Sequence, residues 1–167
     1  MLRRRAERHL KRAQRRVSRR KHGSQRRQKA VRLLAKAHQK VRHARCDFHH
    51  KVTLALVRRY DTIYHEDVQT ANLLRNHHLA KSIADAGWSA CSGILAFKAA
   101  CAGKRAVAVP PAYTSQTCSG PQCGVVVHPG LPVRWHACPD CGTSLHRDHN
   151  AAKNIERAGQ ALWGAMA

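Results

Sequence analysis

Four of the seven cysteines form the pattern Cys118-x4-Cys123, fourteen further residues, then Cys138-Pro-Asp-Cys141-Gly142. Each close pair can place two soft sulfur ligands on one turn. Zinc takes four such ligands in a tetrahedron, so two turns close the site and leave no open position. A zinc held by Cys118, Cys123, Cys138 and Cys141 is therefore expected to be structural. Gly124 and Gly142 each follow a cysteine directly, where tolerance of unusual backbone angles helps the turn fold round the metal. His128 and His136 are nearby substitutes as ligands, and the wide first pair keeps that exchange open. Cys46, Cys91 and Cys101 read as reduced, partly buried small residues.

A second chemistry is that of carboxylates, which are scarce here: 9 Asp and Glu among 167 residues. Glu66 closes a stretch rich in β-branched and aromatic residues, and Asp148 stands at a helix start. Acids so placed are candidates for holding Mg2+, a hard cation that prefers oxygen. The plainer roles are an ordinary exposed acid for Glu66 and an N-terminal cap for Asp148.

The bulk of the charge is positive. Lys and Arg number 31, giving a formal net charge of +22 before the 13 His are counted. Residues 1–50 carry 19 of those cations against Glu7 and Asp47, a net +17; the remaining 117 residues carry a net +5. Self-repulsion at that density opposes compaction and makes a phosphate backbone the natural counter-ion. Arg3, Arg4, Arg5, Arg8, Lys11, Arg12, Arg15, Arg16, Arg19, Arg20, Arg26 and Arg27 are the candidate nucleic-acid contacts. No run approaches the 18 or so apolar residues of a membrane span, so a cytoplasmic, nucleoid-associated protein with no membrane partner is expected.

The elements that must position these groups follow from periodicity. Residues 3–20 have helical propensity weakened by like charges. Ser24 is placed to cap a second helix whose Val31, Leu34, Val41, Phe48, Val52 and Ala55 make one apolar stripe. Residues 60–67 alternate like a strand. Val68 to Ala84 reads as a helix, and another after Gly87 carries Trp88, Cys91, Leu95 and Ala99 and ends at Gly103. Arg105–Val109 is a short strand stopped by Pro110-Pro111. An Ala-rich helix follows His146, ending near Gly159 or Trp163. The order β-α-α-β predicts a mixed α/β sheet.

Several of these stretches, in this order, resemble one family: Gln14-Arg-Arg-Val-Ser-Arg19, Ile63-Tyr-His-Glu66-Asp67, Tyr113-Thr-Ser-Gln-Thr-Cys118, the paired cysteine turns, and Arg147-Asp148-His-Asn-Ala-Ala-Lys-Asn-Ile155. They are similar to the C-terminal part of the insertion-sequence OrfB, or TnpB, proteins. That family is called transposases or transposase accessory proteins, and it contains compact RNA-guided DNA nucleases related to type V CRISPR effectors. The resemblance implies an α/β fold: an incomplete RuvC domain of RNase H-like type with a zinc-ribbon insertion, preceded by basic helices. It implies a division into a basic helical segment (1–59), a RuvC-like part (60–112), a zinc ribbon (113–145) and a final RuvC-like helix (146–167).

The family nuclease uses three acids from separated segments. Glu66 matches the second and Asp148 the third. The first, an Asp in a Gly-Ile-Asp-like strand, has no match, since Glu7, Asp47 and Asp61 lie outside any apolar strand pattern. The chain thus resembles a member beginning after its first catalytic strand and lacking the N-terminal guide-recognition regions. His146 stands where the family often has an acid, and the x4 spacing of the first cysteine pair is wider than the commoner x2. A two-metal reaction needs ions that activate water and steady the leaving oxygen; three carboxylates hold such a pair, and two are a poor substitute. The resemblance therefore implies a metal-dependent endonuclease relative that binds DNA and RNA, a guide RNA among them, with structural zinc, and with magnesium if its site is completed. Alone it is expected not to cleave. The competing readings are a stand-alone zinc-ribbon binding or regulatory module and a nuclease completed in trans by a full-length relative or by self-association.

Overall fold

A computed structural model describes residues 2–128, 130 and 132–164, with side chains from residue 8 onward. The chain divides into two compact units, residues 1–53 and 54–167.

The first unit is built on two basic helices, α1 (Leu2–Ser18) and α2 (Gln25–Arg59). Ser24 caps α2 as its position predicts: its Oγ accepts from the Arg27 amide at 3.2 Å and donates to Lys21 O at 2.8 Å. Across the elbow the Arg27 guanidinium donates to Val17 O at 3.3 Å, placing a cation on the carbonyl end of α1.

The expected apolar stripe on α2 is not the buried one. Phe48 is 62% and Val31 44% exposed, and Val52 and Ala55 are exposed as well. The inward line runs instead through Ala30, Leu34, Ala37, Val41, Arg45, His49, Thr53 and Val57, at steps of three and four. Only Leu34 and Val41 are shared with the expectation. Five of these eight residues are small or polar, so hydropathy alone misplaces the line. Thr53, fully buried, tolerates that position because its Oγ1 returns a 2.7 Å hydrogen bond to His49 O.

In the second unit β1 (Thr62–Glu66) and β2 (Arg105–Val109) pair in parallel, Glu66 opposite Val109, with the Asp67 amide extending the ladder to Val109 O at 2.8 Å. The expected helix over 68–84 is broken into α3 (Thr70–Leu73) and α4 (Ala80–Ala86). Asn76 breaks it, its Oδ1 accepting from the His78 amide at 3.1 Å and so turning the backbone out of the helix. Leu73, Leu74 and Leu79 are consequently exposed, while Ile83 is buried. Helix α5 (Trp88–Cys101) carries Leu95 and Ala99 into a small core with Val57, flanked by Leu56, Ile63 and Ala106.

Beyond Val109 come β3 (Trp135–Ala137) and β4 (Ser144–His146), an antiparallel pair with His136 opposite Leu145, and then α6 (Arg147–Gly164). Helix α6 packs against both sheets. Its Gly159 is buried with the Tyr64 ring where a Cβ would stand, and the Arg105 guanidinium lies over Trp163, 4.0 Å from the ring centroid. No described helix is long and apolar enough to cross a membrane.

Two glycines inside helices should respond oppositely to a methyl group. Gly159→Ala meets the Tyr64 ring and is expected to cost about 1–3 kcal/mol by overpacking. Gly93→Ala, on α5 with nothing within 4 Å of the added Cβ, is expected to stabilise by up to about 1 kcal/mol through helix propensity. Urea denaturation of the two variants beside the parent reads both signs.

Candidate metal centre and nucleic-acid surface

The four predicted cysteines converge. Their Sγ atoms all lie within 4.8 Å of one another, with Cys118–Cys141 at 3.5 Å and Cys123–Cys138 at 3.6 Å. A zinc–sulfur bond of about 2.3 Å sets tetrahedral edges of about 3.8 Å, so the sulfurs stand close to where a zinc ion would draw them. Neither His128 nor His136 belongs to the group. His136 is instead buried in β3, with neither ring nitrogen given a partner. Sequence spacing pointed to it as a ligand and not as a filler between strands.

Local backbone explains the convergence. The first turn is entered through a Thr117–Val126 bridge and the Cys118 amide bonded to Val125 O at 2.8 Å. The second is closed by the Cys138 amide on Thr143 O at 2.9 Å. Gly124 and Gly142 have φ of 66° and 70°, the left-handed region expected of a residue just past a ligand. Gly120 has a separate reason to lack a side chain: a Cβ there would lie 2.9 Å from Cys141 Sγ and 3.3 Å from Cys118 Sγ.

The thiols perturb one another. Thr143, through its hydroxyl and then its backbone, holds Cys141 down at about 6. Cys123 is favoured as a thiolate by the Val125 backbone, yet burial and the three neighbouring sulfurs push it up to about 12. Burial likewise raises Cys118, against the Gly120 amide. Four sulfurs this close cannot all ionise beside one another, and a divalent cation is what would let them do so. The donor set fits zinc, and Cys118, Cys123, Cys138 and Cys141 would hold it as a closed, structural ion.

The carboxylates are placed differently. Glu66 ends β1 half-buried, its Oε1 accepting from Thr114 Oγ1 at 2.5 Å. Asp148 lies in the first turn of α6. It is not the cap that its position suggested: His146 Nδ1 accepts from the Asp148 amide at 3.3 Å, and the Asp148 carboxylate stays 78% exposed, 3.6 Å from that nitrogen. With the cap supplied by His146, the carboxylate faces solvent. Among the described residues neither acid joins a cluster of three or more metal-ligating groups, so the side chains present do not make a magnesium site.

The cations of the first unit gather at the elbow. Arg16, Arg20, Arg26 and Lys29 line a cavity of about 300 Å3 floored by Ala30 and Leu33. Arg8, Lys11, Arg12, Arg15, Arg16, Arg19 and Arg26 are exposed, whereas Arg20 and Arg27 are half-buried and Arg27 is engaged in capping α1. The side chains of Arg3, Arg4 and Arg5 lie outside the described residues. Lys29 was absent from the sequence-based set, although its place one turn beyond Arg26 could have suggested it.

Because a Cβ at Gly120 would press on Thr143 Oγ1, Cys141 Sγ and Cys118 Sγ, a side chain there should disturb the ligand set. Gly120→Ala is expected to lower zinc affinity about 10-fold or more, while Cys138→Ser with Cys141→Ser abolishes stoichiometric binding. Metal analysis of protein purified without chelator, followed by competition with a chromophoric chelator, measures both.

Comparison with known proteins meets this geometry from two sides. Residues 3–77 match a family model, OrfB_IS605, described as a probable transposase, and residues 88–155 match the Cas12f1-like TNB domain. A Streptomyces pristinaespiralis protein named as an RNA-guided DNA endonuclease is 42% identical over 154 residues, 91% of this chain and 38% of its own length. Its Escherichia coli K12 counterpart, InsQ, named likewise, is 32% identical over 92% of this chain and 42% of its own length. The chain thus spans about two fifths of the length of these relatives. Among solved structures, Cas12f1 in a complex with sgRNA and target DNA superposes with a TM-score of 0.58 at 18% identity, covering 73% of this chain and 36% of that one, which is a likeness of fold. With two family models spanning most of its residues, the chain belongs to the insertion-sequence OrfB/TnpB family.

Proposed function

We propose that this chain is the RuvC-like and zinc-ribbon portion of a TnpB-type RNA-guided DNA endonuclease, binding RNA and DNA through its basic helices and not cleaving DNA alone. The observation that carries the reading is the placement of α6. One helix bears Asp148 in its first turn, packs on β1, whose last residue is Glu66, and hydrogen-bonds the segment leading into Cys118. That arrangement suits two family carboxylates set beside a structural zinc ribbon. The β1–β2 pair has room for more: as described it is a two-stranded parallel sheet, and parallel sheets are ordinarily larger and covered on both faces. A strand carrying the first family acid would add to it. Zinc here supports the fold, while Glu66 and Asp148 supply two oxygen ligands of a site that needs a third.

The elbow cavity gives the nucleic-acid reading a local focus. Four cations converge there without an acid among the lining residues, which is the arrangement a phosphodiester would neutralise. Guide RNA and target DNA are the partners this reading implies, as in the complex of the Cas12f1 relative.

Affinity for single-stranded or duplex nucleic acid is expected to fall steeply with salt. Changing Arg16, Arg20, Arg26 and Lys29 together to Gln should reduce the logarithmic salt slope by about 3, since each neutralised phosphate contributes roughly 0.7–0.9. An unchanged slope in a filter-binding titration removes the elbow from the interface.

In a nuclease assay with Mg2+ or Mn2+, with and without guide-like RNA, the chain is expected to bind DNA and leave it uncut. Fusion of a Gly-Ile-Asp-like strand ahead of residue 1 should restore cleavage that Glu66→Ala or Asp148→Ala removes. Cleavage by the unfused chain, abolished by either substitution, would falsify the two-carboxylate reading.

A further inference from the structure

We infer that the indole face of Trp135 is a stacking platform for one base of a single-stranded nucleic acid. This rests on the reading of the chain as a nucleic-acid binder, and it concerns the second unit, not the basic helices. The hairpin of β3 and β4 has two sides. Its register sets Trp135 opposite His146 and Ala137 opposite Ser144, and alternation along each strand turns these four to one side and His136 and Leu145 to the other. On the second side His136 is buried and Leu145 half-buried, whereas all four residues of the first are exposed.

Trp135 is 55% exposed and yet fixed. Its Nε1–H donates to Ser144 Oγ at 2.6 Å, which lays the ring diagonally across the neighbouring strand, and the His146 ring meets it edge to face, 6.4 Å between centroids and 88° between planes. The one polar atom of the indole is spent in that hydrogen bond. What remains is a flat π surface already held in place, so little side-chain freedom is left to lose on binding.

The flanks decide what the ring takes. Val133 and Trp135 are the large hydrophobic side chains exposed over residues 132–147, and Ala137, Ser144 and His146 beside the indole are small or polar. That apolar area suits a single base and falls far short of the roughly 800 Å2 per partner of a stable protein interface. Arg134 precedes β3 and Arg147 follows β4, joined by the Arg147 amide on Arg134 O at 2.9 Å. By the same alternation their side chains leave from the other side of the ribbon, where they can serve phosphates passing its rim. The acid at this end is Asp148, its carboxylate 3.6 Å from His146 Nδ1. A cationic ligand on the ring would meet two arginines, whereas a nucleotide brings a base for the ring and a phosphate for the guanidinium groups. A base inside a duplex has both faces covered by its neighbours, so the partner is single-stranded.

The chain contains three tryptophans, Trp88, Trp135 and Trp163, so 5-fluorotryptophan labelling of the full chain gives three 19F resonances, that of Trp135 assigned with Trp135→Phe. A short oligothymidine is expected to shift the Trp135 resonance, and an abasic oligonucleotide of the same length and charge to leave it in place. Trp135→Ala should weaken oligothymidine binding about 10-fold with the logarithmic salt slope unchanged, because stacking releases no counter-ions. Trp135→Phe should keep most of the affinity, and neither variant should change binding of the abasic strand. Should Trp135→Ala lose the hairpin, seen as a fall in far-ultraviolet dichroism, the comparison of the two oligonucleotides on the parent chain decides by itself. Salt-dependent binding in which the parent takes both strands equally, or in which the Trp135 resonance stays still, overturns this inference and leaves the nucleic-acid reading standing. A Trp135 resonance that moves with protein concentration alone assigns the ring to a second copy of the chain and overturns it too. If neither oligonucleotide binds at low salt, the nucleic-acid reading fails and the platform with it.

Discussion

Four sulfur atoms within 4.8 Å of one another could hold a metal ion such as zinc, and much of the second unit is organised round that cluster. Across 113–146 the buried side chains are those of Thr114, Cys118, Ser119, His136 and Cys138. Among the described residues of that stretch no aliphatic side chain is buried, and the two strands of its hairpin are three residues each. With no buried aliphatic side chain among its described residues to offset conformational entropy, such a segment would draw from metal ligation the cohesion that burial supplies elsewhere. The same ion would settle the conflict between a thiol held down at about 6 and one pushed up to about 12.

A different shortage governs the first unit. Among its described side chains those buried are Ala30, His49 and Thr53, one methyl and two polar groups, while residues 1–50 carry a net +17. Helix α2, 35 residues long, is held mainly by its own backbone ladder. Such helices gain little from hydrophobic burial and carry strong mutual repulsion, which a polyanion relieves as it binds. For this part, folding and any association with a polyanion would be one electrostatic problem, whereas the second unit combines a small apolar core at Val57, Leu95 and Ala99 with its cysteine cluster.

Legibility in the sequence followed the physics of each element. The clustering of Cys118, Cys123, Cys138 and Cys141, the strands at 62–66 and 105–109 and the cap at Ser24 were readable because spacing or a single side chain decides them. The buried line of α2 was not, since polar Arg45, His49 and Thr53 occupy it and their tolerance depends on hydrogen bonds that hydropathy does not register. The break at Asn76 was missed because an Asx turn competes with the helix by a margin that apolar periodicity cannot weigh. At Asp148 the sequence offered two roles, cap or ligand, and the first is taken by a neighbour: His146 Nδ1 accepts from the Asp148 amide, leaving the carboxylate exposed. The link from Thr114 to Glu66 spans 48 positions and leaves no local pattern at all.

Helix α6 shows how these pieces become one object. Its inward face runs through Asn150, Ala151, Asn154, Ile155, Ala158 and Gly159, at steps of three and four. The face is polar toward the N-terminus because it meets backbone carbonyls of 114–117 there, and small toward the C-terminus because it meets the Tyr64 ring. A helix is a stiff ruler at about 1.5 Å per residue, so fastening it at Asn150, Asn154 and Gly159 fixes where Asp148 can stand. Tyr64 is two residues before Glu66 on β1, and Thr114 holds Glu66 itself. The two carboxylates are therefore located relative to each other by a chain of short, directional contacts rather than by a deep apolar core, and the zinc-binding turn is one link in that chain.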